Sequence, residues 1–391
     1  MTLIWLMCAV FVLASPAIAG AQQPSVRDVL SFLVTNQAVP TADFVKDRQA
    51  AQATRDTIAR GLLVELATVP ISTSSGGFTY RLNPSLGTME RLTEGFGPFL
   101  VDRAVTTGGG QASIGFTYRY ATFTSLDGRD LRNGTLVTTA NRFRDETSAF
   151  DVEALTLRIR TTTITLFGNY GVTNWLDVGA VVPVVRLDLS GERVNTYRGT
   201  SLVQAQGTAT ATGLADIAVR AKVRLVGAGM SGLAAGVEVR LPTGNPDDLR
   251  GAGRTAVKTS AIGSFGGGPF EAHLNAGVTE GGVSREFSLG GAVAVAATSR
   301  LTFSAETVAR RIEELSRIDT VVERHPLIAG VDTIRLLPAG GNTTTLVTVA
   351  GVHWNVGRTW LINANLLVPV TDGGLKAKPV PTFSVDYSFA R

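Results

Sequence analysis

The side chains best suited to chemistry are few in this sequence and lie far apart. Its 391 residues contain three histidines, His273, His325 and His353, and a single cysteine, Cys8. The histidine spacing matches no metal site, and no nucleophile elbow, phosphate-binding loop or dinucleotide fingerprint stands in a strand–helix context. We expect each histidine to be a loop or interfacial residue, and we predict no metal, no cofactor and no enzyme activity. The one alternative is a barrel lipase, in which His353 would face a serine across a strand pair.

Charged side chains recur instead at alternate positions. Between Leu214 and Leu225, charged residues occupy one parity and aliphatic residues the other, which places all the charges on one face of a β-strand. Such a face could bias permeation toward anions, or its charges could pair across neighbouring strands and fill an interior. The residues that we predict to line a polar lumen are Arg158, Arg160, Asp216, Arg220, Lys222, Arg224, Glu238, Arg240, Glu306 and Arg310.

Composition narrows the class of protein. The chain is 44% hydrophobic and 17% charged, with 43 glycines, whereas a typical soluble domain is about 25% charged. These values exclude a disordered chain, and the single cysteine excludes a disulfide scaffold. Only the run from residue 3 to residue 19 approaches the length of a membrane helix, so a helical bundle in the membrane is also excluded. The formal charge of +4 comes from dispersed Lys and Arg, without interleaved aromatic residues, and predicts no nucleic-acid partner.

From about residue 76 the sequence has the period of β-strands that could cross a bilayer. Apolar and polar residues alternate over about ten positions in the segments 214–225, 233–241, 301–310 and 382–389, which is the length of a tilted transmembrane strand. Short glycine-rich or polar turns alternate with longer connections along the chain. Sorting of short turns to one end is typical of bacterial outer-membrane barrels.

We therefore predict an all-β fold over residues 76–391, a transmembrane antiparallel β-barrel of about 12 (12–14) strands with an N-terminal helical segment. Segments 78–81 and 96–104 are candidates for additional strands. Pro183 is expected to end a strand, because proline cannot donate to the ladder, or to mark a bulge at a lateral opening. The long connections are predicted at 125–151, 191–207, 244–253, 312–344 and 371–378.

Two N-terminal segments differ from the rest of the chain. Residues 1–21 are predicted to be a signal peptide that is cleaved after Ala21, with a retained anchor as the alternative. Residues 22–75 are predicted to form a helical periplasmic or plug segment, and an oligomerisation helix is a further alternative. A shorter helix is predicted from Val26 to Leu33, behind Ser25, and the longer helix should begin after Thr41 as its N-cap. Its buried stripe is predicted to be Phe44, Ala51, Ile58 and Leu62.

Several blocks of the sequence resemble a known family. Asn169–Gly179, Gly213–Lys222, Val239–Gly244 and Asn363–Leu375 are similar, in this order, to strand–turn–strand motifs of Gram-negative outer-membrane transporters associated with the meta-pathway of phenol degradation. That family is in turn distantly similar to the fatty-acid and toluene channels. The terminal segment Thr382–Phe389 resembles the strand that the barrel-assembly machinery recognises, although Ser384 stands where glycine is usual and Ala390–Arg391 follow the last aromatic residue.

The resemblance implies a location in the outer membrane and a channel or facilitator for small hydrophobic or aromatic compounds. The implied partners are outer-membrane lipid, the barrel-assembly machinery and the solute. Two alternatives remain: a closed structural barrel that interacts through loops 125–151 and 312–344, and a secreted soluble β-protein or barrel enzyme. Deletion of residues 22–75 should raise permeability only if the protein is a plugged channel.

Overall fold

The computed structural model describes residues 24–35, 38–67, 80–83, 88–91, 95–315, 317–357 and 359–389. The predicted signal peptide lies outside the described residues. No helix within these ranges is both long enough and apolar enough to cross a membrane. The elements are α1 Val26–Thr35, α2 Phe44–Ala67, β1 Tyr80–Asn83, β2 Thr88–Arg91, β3 Ala112–Leu126, β4 Arg129–Asp130, β5 Leu136–Phe143, β6 Asp151–Gly171, β7 Leu176–Tyr197, β8 Thr200–Leu214, β9 Ala218–Ala228, β10 Ser231–Arg240, β11 Ala256–Gly267, β12 Phe270–Gly281, β13 Glu286–Thr298, β14 Leu301–Ile312, β15 Arg317–Arg324, β16 Val331–Ala339, β17 Thr343–Gly357, β18 Trp360–Pro369, β19 Leu375–Ala377 and β20 Val380–Phe389.

Twelve strands close into an antiparallel barrel, which confirms the predicted fold. The ring runs β3, β6, β7, β9, β10, β11, β12, β13, β14, β17, β18 and β20, and β20 pairs with β3 to close it. Strands β4, β5, β15, β16 and β19 belong to the long connections at one end, and β8 extends the wall above β9. Strands β1 and β2 form a separate two-stranded sheet. Closure leaves no open sheet edge around the ring, as a lipid environment requires.

The connections sort to two ends, as predicted. At the end that we call the short-turn end, strands are joined by 172–175, 229–230, 268–269 and 299–300, and only two residues separate the end of β17 from the start of β18. The opposite, long-loop end carries the remaining connections. The predicted loop 191–207 is wrong, because β7 and β8 continue through it as a hairpin that turns at Arg198–Gly199, with φ of 50° and 86°.

Pro183 does not end its strand, since β7 continues to Tyr197. Its carbonyl accepts from the Ala215 N–H at 2.9 Å, where β8 stops and β9 has not begun. β8 and β9 therefore follow one another along β7, and residues 215–217 interrupt them opposite Pro183. The position agrees with the bulge alternative for this proline.

The short-turn half of the barrel has an apolar outside and a polar inside. On β14, Phe303 is 48% exposed on the outer face, whereas Thr302 and Glu306 are buried on the inner face. This pattern is the reverse of a soluble sandwich, in which the apolar face would be covered. Outward aromatic side chains gather near the short turns, as at a membrane interface: Tyr170, Trp175, Phe265, Phe270, Phe303, Trp354, Trp360 and Phe389. The structure is therefore a transmembrane barrel.

The polarity of the two faces inverts in the long-loop half. Along β6 the inner residues become apolar, with Leu157 and Ile159 fully buried, and the outer residues Arg158 and Arg160 are exposed. The prediction that these two arginines line the lumen is wrong. They lie beyond the apolar belt, in a part of the wall where the charged residues of the strand point outward and the apolar residues point inward.

Both predicted helices form, with one correction at a cap and one at the stripe. Ser25 begins α1 with a reciprocal cap, because its Oγ accepts from the Asp28 N–H at 3.1 Å and the Asp28 carboxylate accepts from the Ser25 N–H at 3.2 Å. For α2 the cap is Asp43 rather than Thr41, since the Lys46 N–H donates to the Asp43 carboxylate at 3.1 Å. Ala51, Ile58 and Leu62 are buried as expected, but Phe44 is 82% exposed at the first turn.

Candidate functional site

The lumen contains an extended stretch of chain, residues 95–107, that we call the inner segment. Residues 96–104 are a candidate strand by sequence, but they form no strand in the structure. Its central backbone N–H groups, from Phe99, Leu100 and Val101, donate to the Glu306 carboxylate at 2.5, 2.7 and 3.0 Å. Glu306 is only 3% exposed, so these three donors replace the water that its charge would otherwise require.

Side chains of other strands hold the rest of the inner segment. Lys222 Nζ on β9 donates to the carbonyls of Arg103 and Val105 at 2.9 and 2.7 Å. The Thr107 N–H donates to Asp177 on β7 at 2.9 Å, and the Ala104 N–H donates to Ser264 Oγ on β11 at 2.8 Å. Because β7 lies across the twelve-strand ring from β14, which carries Glu306, the inner segment spans the lumen near the short-turn end.

Arg103 anchors the inner segment through a buried charge network. Its guanidinium is fully buried and lies 3.5 Å from Glu271 on β12. Glu271 lies 3.4 Å from His273 Nε2, and His273 Nδ1 is 2.9 Å from Ser264 Oγ. A buried cation is stable only when it is paired and hydrogen-bonded, so the network fixes both the inner segment and the wall facing it.

A second histidine lies in a chain of serine, histidine and asparagine. Ser304 Oγ is 2.8 Å from His353 Nε2, and His353 Nδ1 is 2.8 Å from Asn363 Oδ1. The order matches that of serine hydrolases, but Ser304 and His353 are 7% and 2% exposed within the lumen wall. The expectation that the histidines are loop or interfacial residues is wrong for His273 and His353, and holds for His325, whose Nε2 lies 3.1 Å from the Pro40 carbonyl at the long-loop end.

The helical segment occupies the long-loop half of the lumen. Near the start of α2, Asp47 pairs with Arg335 of β16 at 2.7 Å. Near its end, Glu65 lies 3.5 Å from Arg119 on the inner face of β3. Leu66 packs with Val185 of β7 and with Ala215, so α2 runs from the long loops down into the barrel.

The linker between the helices is fixed by a buried ion pair. The Ala38 N–H donates to the Glu153 carboxylate at 3.1 Å, and the Arg193 guanidinium lies 2.7 Å from the same carboxylate. Glu153 and Arg193 are 0% and 2% exposed. The connection between α1 and α2 is thereby attached to the long-loop ends of β6 and β7.

A cavity of about 210 Å³ separates α2 from the inner segment. Five of the ten predicted lumen residues line it: Asp216, Arg220, Glu238, Arg240 and Arg310. Lys222 and Glu306 lie on the inner face but hold the inner segment instead, and the Arg224 guanidinium bonds to the carbonyls of Gly229 and Ser231 at a short turn. Since Arg158 and Arg160 lie on the outer face, the ten residues predicted to line the lumen occupy four different environments.

Several of the cavity's charges are paired. Arg220 lies 3.5 Å from Asp102 of the inner segment, and Arg240 lies 2.8 Å from Glu238 on the same strand. Arg310 on β14 pairs with Glu286 on β13. In the described part of the chain, no group of three or more His, Cys, Asp or Glu side chains could hold a metal ion.

The closed barrel, its apolar belt and its partly filled polar lumen define a bacterial outer-membrane β-barrel. Residues 102–284, somewhat under half of the chain, match the family described as "Putative MetA-pathway of phenol degradation", which confirms the family resemblance of the sequence. The matched range includes the first three motifs of that resemblance, and the fourth, Asn363–Leu375, lies beyond its end.

Similar solved structures include three outer-membrane proteins. An outer-membrane channel from Pseudomonas putida F1 has 13% identity and a TM-score of 0.47, covering 73% of this chain and 98% of that one. A Pseudomonas aeruginosa FadL homologue has 12% identity and a TM-score of 0.34, with coverages of 82% and 99%. The Ralstonia pickettii toluene transporter has 11% identity and a TM-score of 0.29, with coverages of 82% and 97%. No curated protein matches the chain.

Proposed function

We propose that this protein is a channel or facilitator for small hydrophobic or aromatic compounds across the Gram-negative outer membrane. The observation that carries the proposal is the cavity in the lumen of a membrane barrel, bounded on one side by α2 and on the other by the inner segment. A barrel closed for purely structural purposes would need no such space. The description of the matching family, which concerns phenol degradation, supports a small aromatic compound as the solute.

Passage through the barrel requires the inner segment to move. Its contacts to Glu306, Lys222 and Asp177 are hydrogen bonds to side chains rather than strand pairing, so they can be exchanged for water one at a time. The strands that carry these side chains need not separate. The inner segment is thus the barrier at the short-turn end, and α2 is the barrier at the long-loop end.

The remaining assignments follow from the same proposal. Residues 1–21 are a cleaved signal peptide, residues 22–75 are an internal plug, and residues 76–391 are the barrel. The short turns face the periplasm, outer-membrane lipid surrounds the apolar belt, and the assembly machinery binds Thr382–Phe389. We propose no catalytic role, since Ser304 and His353 are buried in the wall rather than open to a substrate.

Truncations test the channel. We compare planar-bilayer conductance of the chains 22–391, 76–391 and 108–391. Loss of α1 and α2 alone should give small or rare openings, because the inner segment still bonds to Glu306. Loss of the inner segment as well should give openings that are larger and more frequent.

A point variant tests the same barrier without deletion. Glu306→Gln weakens the acceptor of three N–H groups and should raise the opening frequency of the chain 22–391 by about tenfold. The matched control is Glu280→Gln at the rim, where the side chain is 60% exposed. Silence from every truncation, together with folded barrels that shift on heating in SDS gels, would reject an open pore and favour the closed interaction barrel.

A further inference from the structure

The lining of the cavity combines two kinds of chemistry. Part of it is apolar and comes from α2, the inner segment and strands β17 and β18: Leu63, Leu66, Leu100, Val347 and Leu367. The remainder is densely charged. A ligand that uses the whole lining must therefore present both an apolar body and a charged group.

The charged part of the lining has an excess of cations. Seven basic and five acidic side chains line the cavity. All five acidic residues are engaged: Asp102 with Arg220, Glu238 with Arg240, Glu286 with Arg310, Glu65 with Arg119, and Asp216 with the N–H groups of Gly244 and Ala252. Of the remaining cations, Arg250 lies 2.9 Å from Asp248.

Arg254 and Lys258 account for the excess. Lys258 is the third residue of β11 and Arg254 lies two residues before the strand begins, and both side chains line the cavity. Among the described residues, neither has a carboxylate at salt-bridge distance. Two cations without an ion-pair partner at the edge of a partly apolar cavity raise the local concentration of anions there.

We infer that this cavity binds an amphipathic anion, namely a carboxylate carried on an aromatic or short aliphatic body. The carboxylate lies between Arg254 and Lys258, and the body packs against Leu66 and Leu100. The size is adequate, since an engineered apolar cavity of about 150 Å³ already takes up benzene. The inference rests on the proposed channel for the route by which the ligand arrives, and it names the solute class more closely.

Three ligands separate the contributions of the two parts of the lining. 4-Phenylbutyrate has both an apolar body and a charge, 4-phenylbutan-1-ol has the body alone, and acetate has the charge alone. Titration calorimetry of chain 22–391 in a neutral detergent should give 4-phenylbutyrate an affinity at least about tenfold higher than either other ligand.

Charge-removing variants locate the site. Arg254→Gln together with Lys258→Gln should reduce 4-phenylbutyrate binding about tenfold, to the level of the alcohol, and leave alcohol binding unchanged. The control is Arg158→Gln together with Arg160→Gln, which removes the same charge from the outer face of the wall. Retained alcohol binding and a heat-modifiable gel shift show that each variant is folded.

Equal binding of acid and alcohol, or an equal loss in the control, would overturn the inference. Tight acetate binding that does not depend on the body would also overturn it and indicate a simple anion site. Binding in detergent needs no permeation, so a barrel that conducts nothing can still bind the acid. A barrel that passes neutral aromatics without binding the acid would keep the channel and lose this site.

Discussion

Two buried carboxylates hold the internal segments in place, and they do so by different means. Glu306 has backbone N–H donors from three consecutive residues of the inner segment, whereas Glu153 has backbone donors from Ala38 and Val39 of the linker and a guanidinium from Arg193. Removing a cation from a buried pair leaves an uncompensated charge, which costs more than the pair itself contributes. The position of the linker should therefore depend strongly on Arg193, whereas each exposed ion pair of the long loops should contribute little.

Arg193→Leu should destabilise the attachment of the linker by about 3–5 kcal/mol. Hydrogen exchange at the Ala38 amide, which donates to Glu153, reports this directly. In the double change Arg193→Leu with Glu153→Gln the buried charge is gone, so part of the protection should return. The control Arg144→Leu breaks a half-exposed pair with Asp332 and should change exchange little. Equal protection in Arg193→Leu and the native chain would mean that the pair does not hold the linker.

Strand β6 shows how one element serves two environments with a single period. Its inner face changes from polar, near Thr163 and Thr165, to apolar at Leu157 and Leu155, while its outer face changes in the opposite sense. The backbone and register continue without a break along 21 residues of pairing with β7. The polarity of both faces changes together, as expected if lipid surrounds the lower part and water surrounds the upper part.

The boundary on β6 can be located by placing the same charge at two outward positions. Leu166→Arg, at a side chain 54% exposed within the apolar belt, should destabilise the barrel by about 2–4 kcal/mol. Thr156→Arg, on the same face beyond the belt, should cost under about 1 kcal/mol. Urea unfolding in phospholipid vesicles measures both. Similar losses at the two positions would show that the belt extends higher than the exposed apolar residues indicate.

At the scale of the whole molecule, alternation and turn spacing were sufficient to predict the twelve strands. They were sufficient because each transmembrane strand must present apolar side chains on its lipid-facing side, and this produces alternation within every strand. Parity also placed Arg220 and Arg240 correctly on the inner face. It failed for Arg158 and Arg160, because parity gives a face but not the height of the bilayer. The inner segment was missed for another reason: it has no period, and its position depends on partners such as Glu306 that lie about 200 residues further along the chain.

The orientation of the barrel is open to a direct measurement, because Cys8 is the only cysteine and lies within the proposed signal peptide. Thr200→Cys places a thiol at the tip of the long β7–β8 hairpin, and Ser299→Cys places one in a short turn. A membrane-impermeant maleimide should label the first variant on intact cells and the second only after the outer membrane is permeabilised. The unmodified chain should stay unlabelled in both conditions, because cleavage removes Cys8. Labelling of Ser299→Cys on intact cells would invert the orientation, and labelling of the unmodified chain after permeabilisation would show that the N-terminal segment is retained.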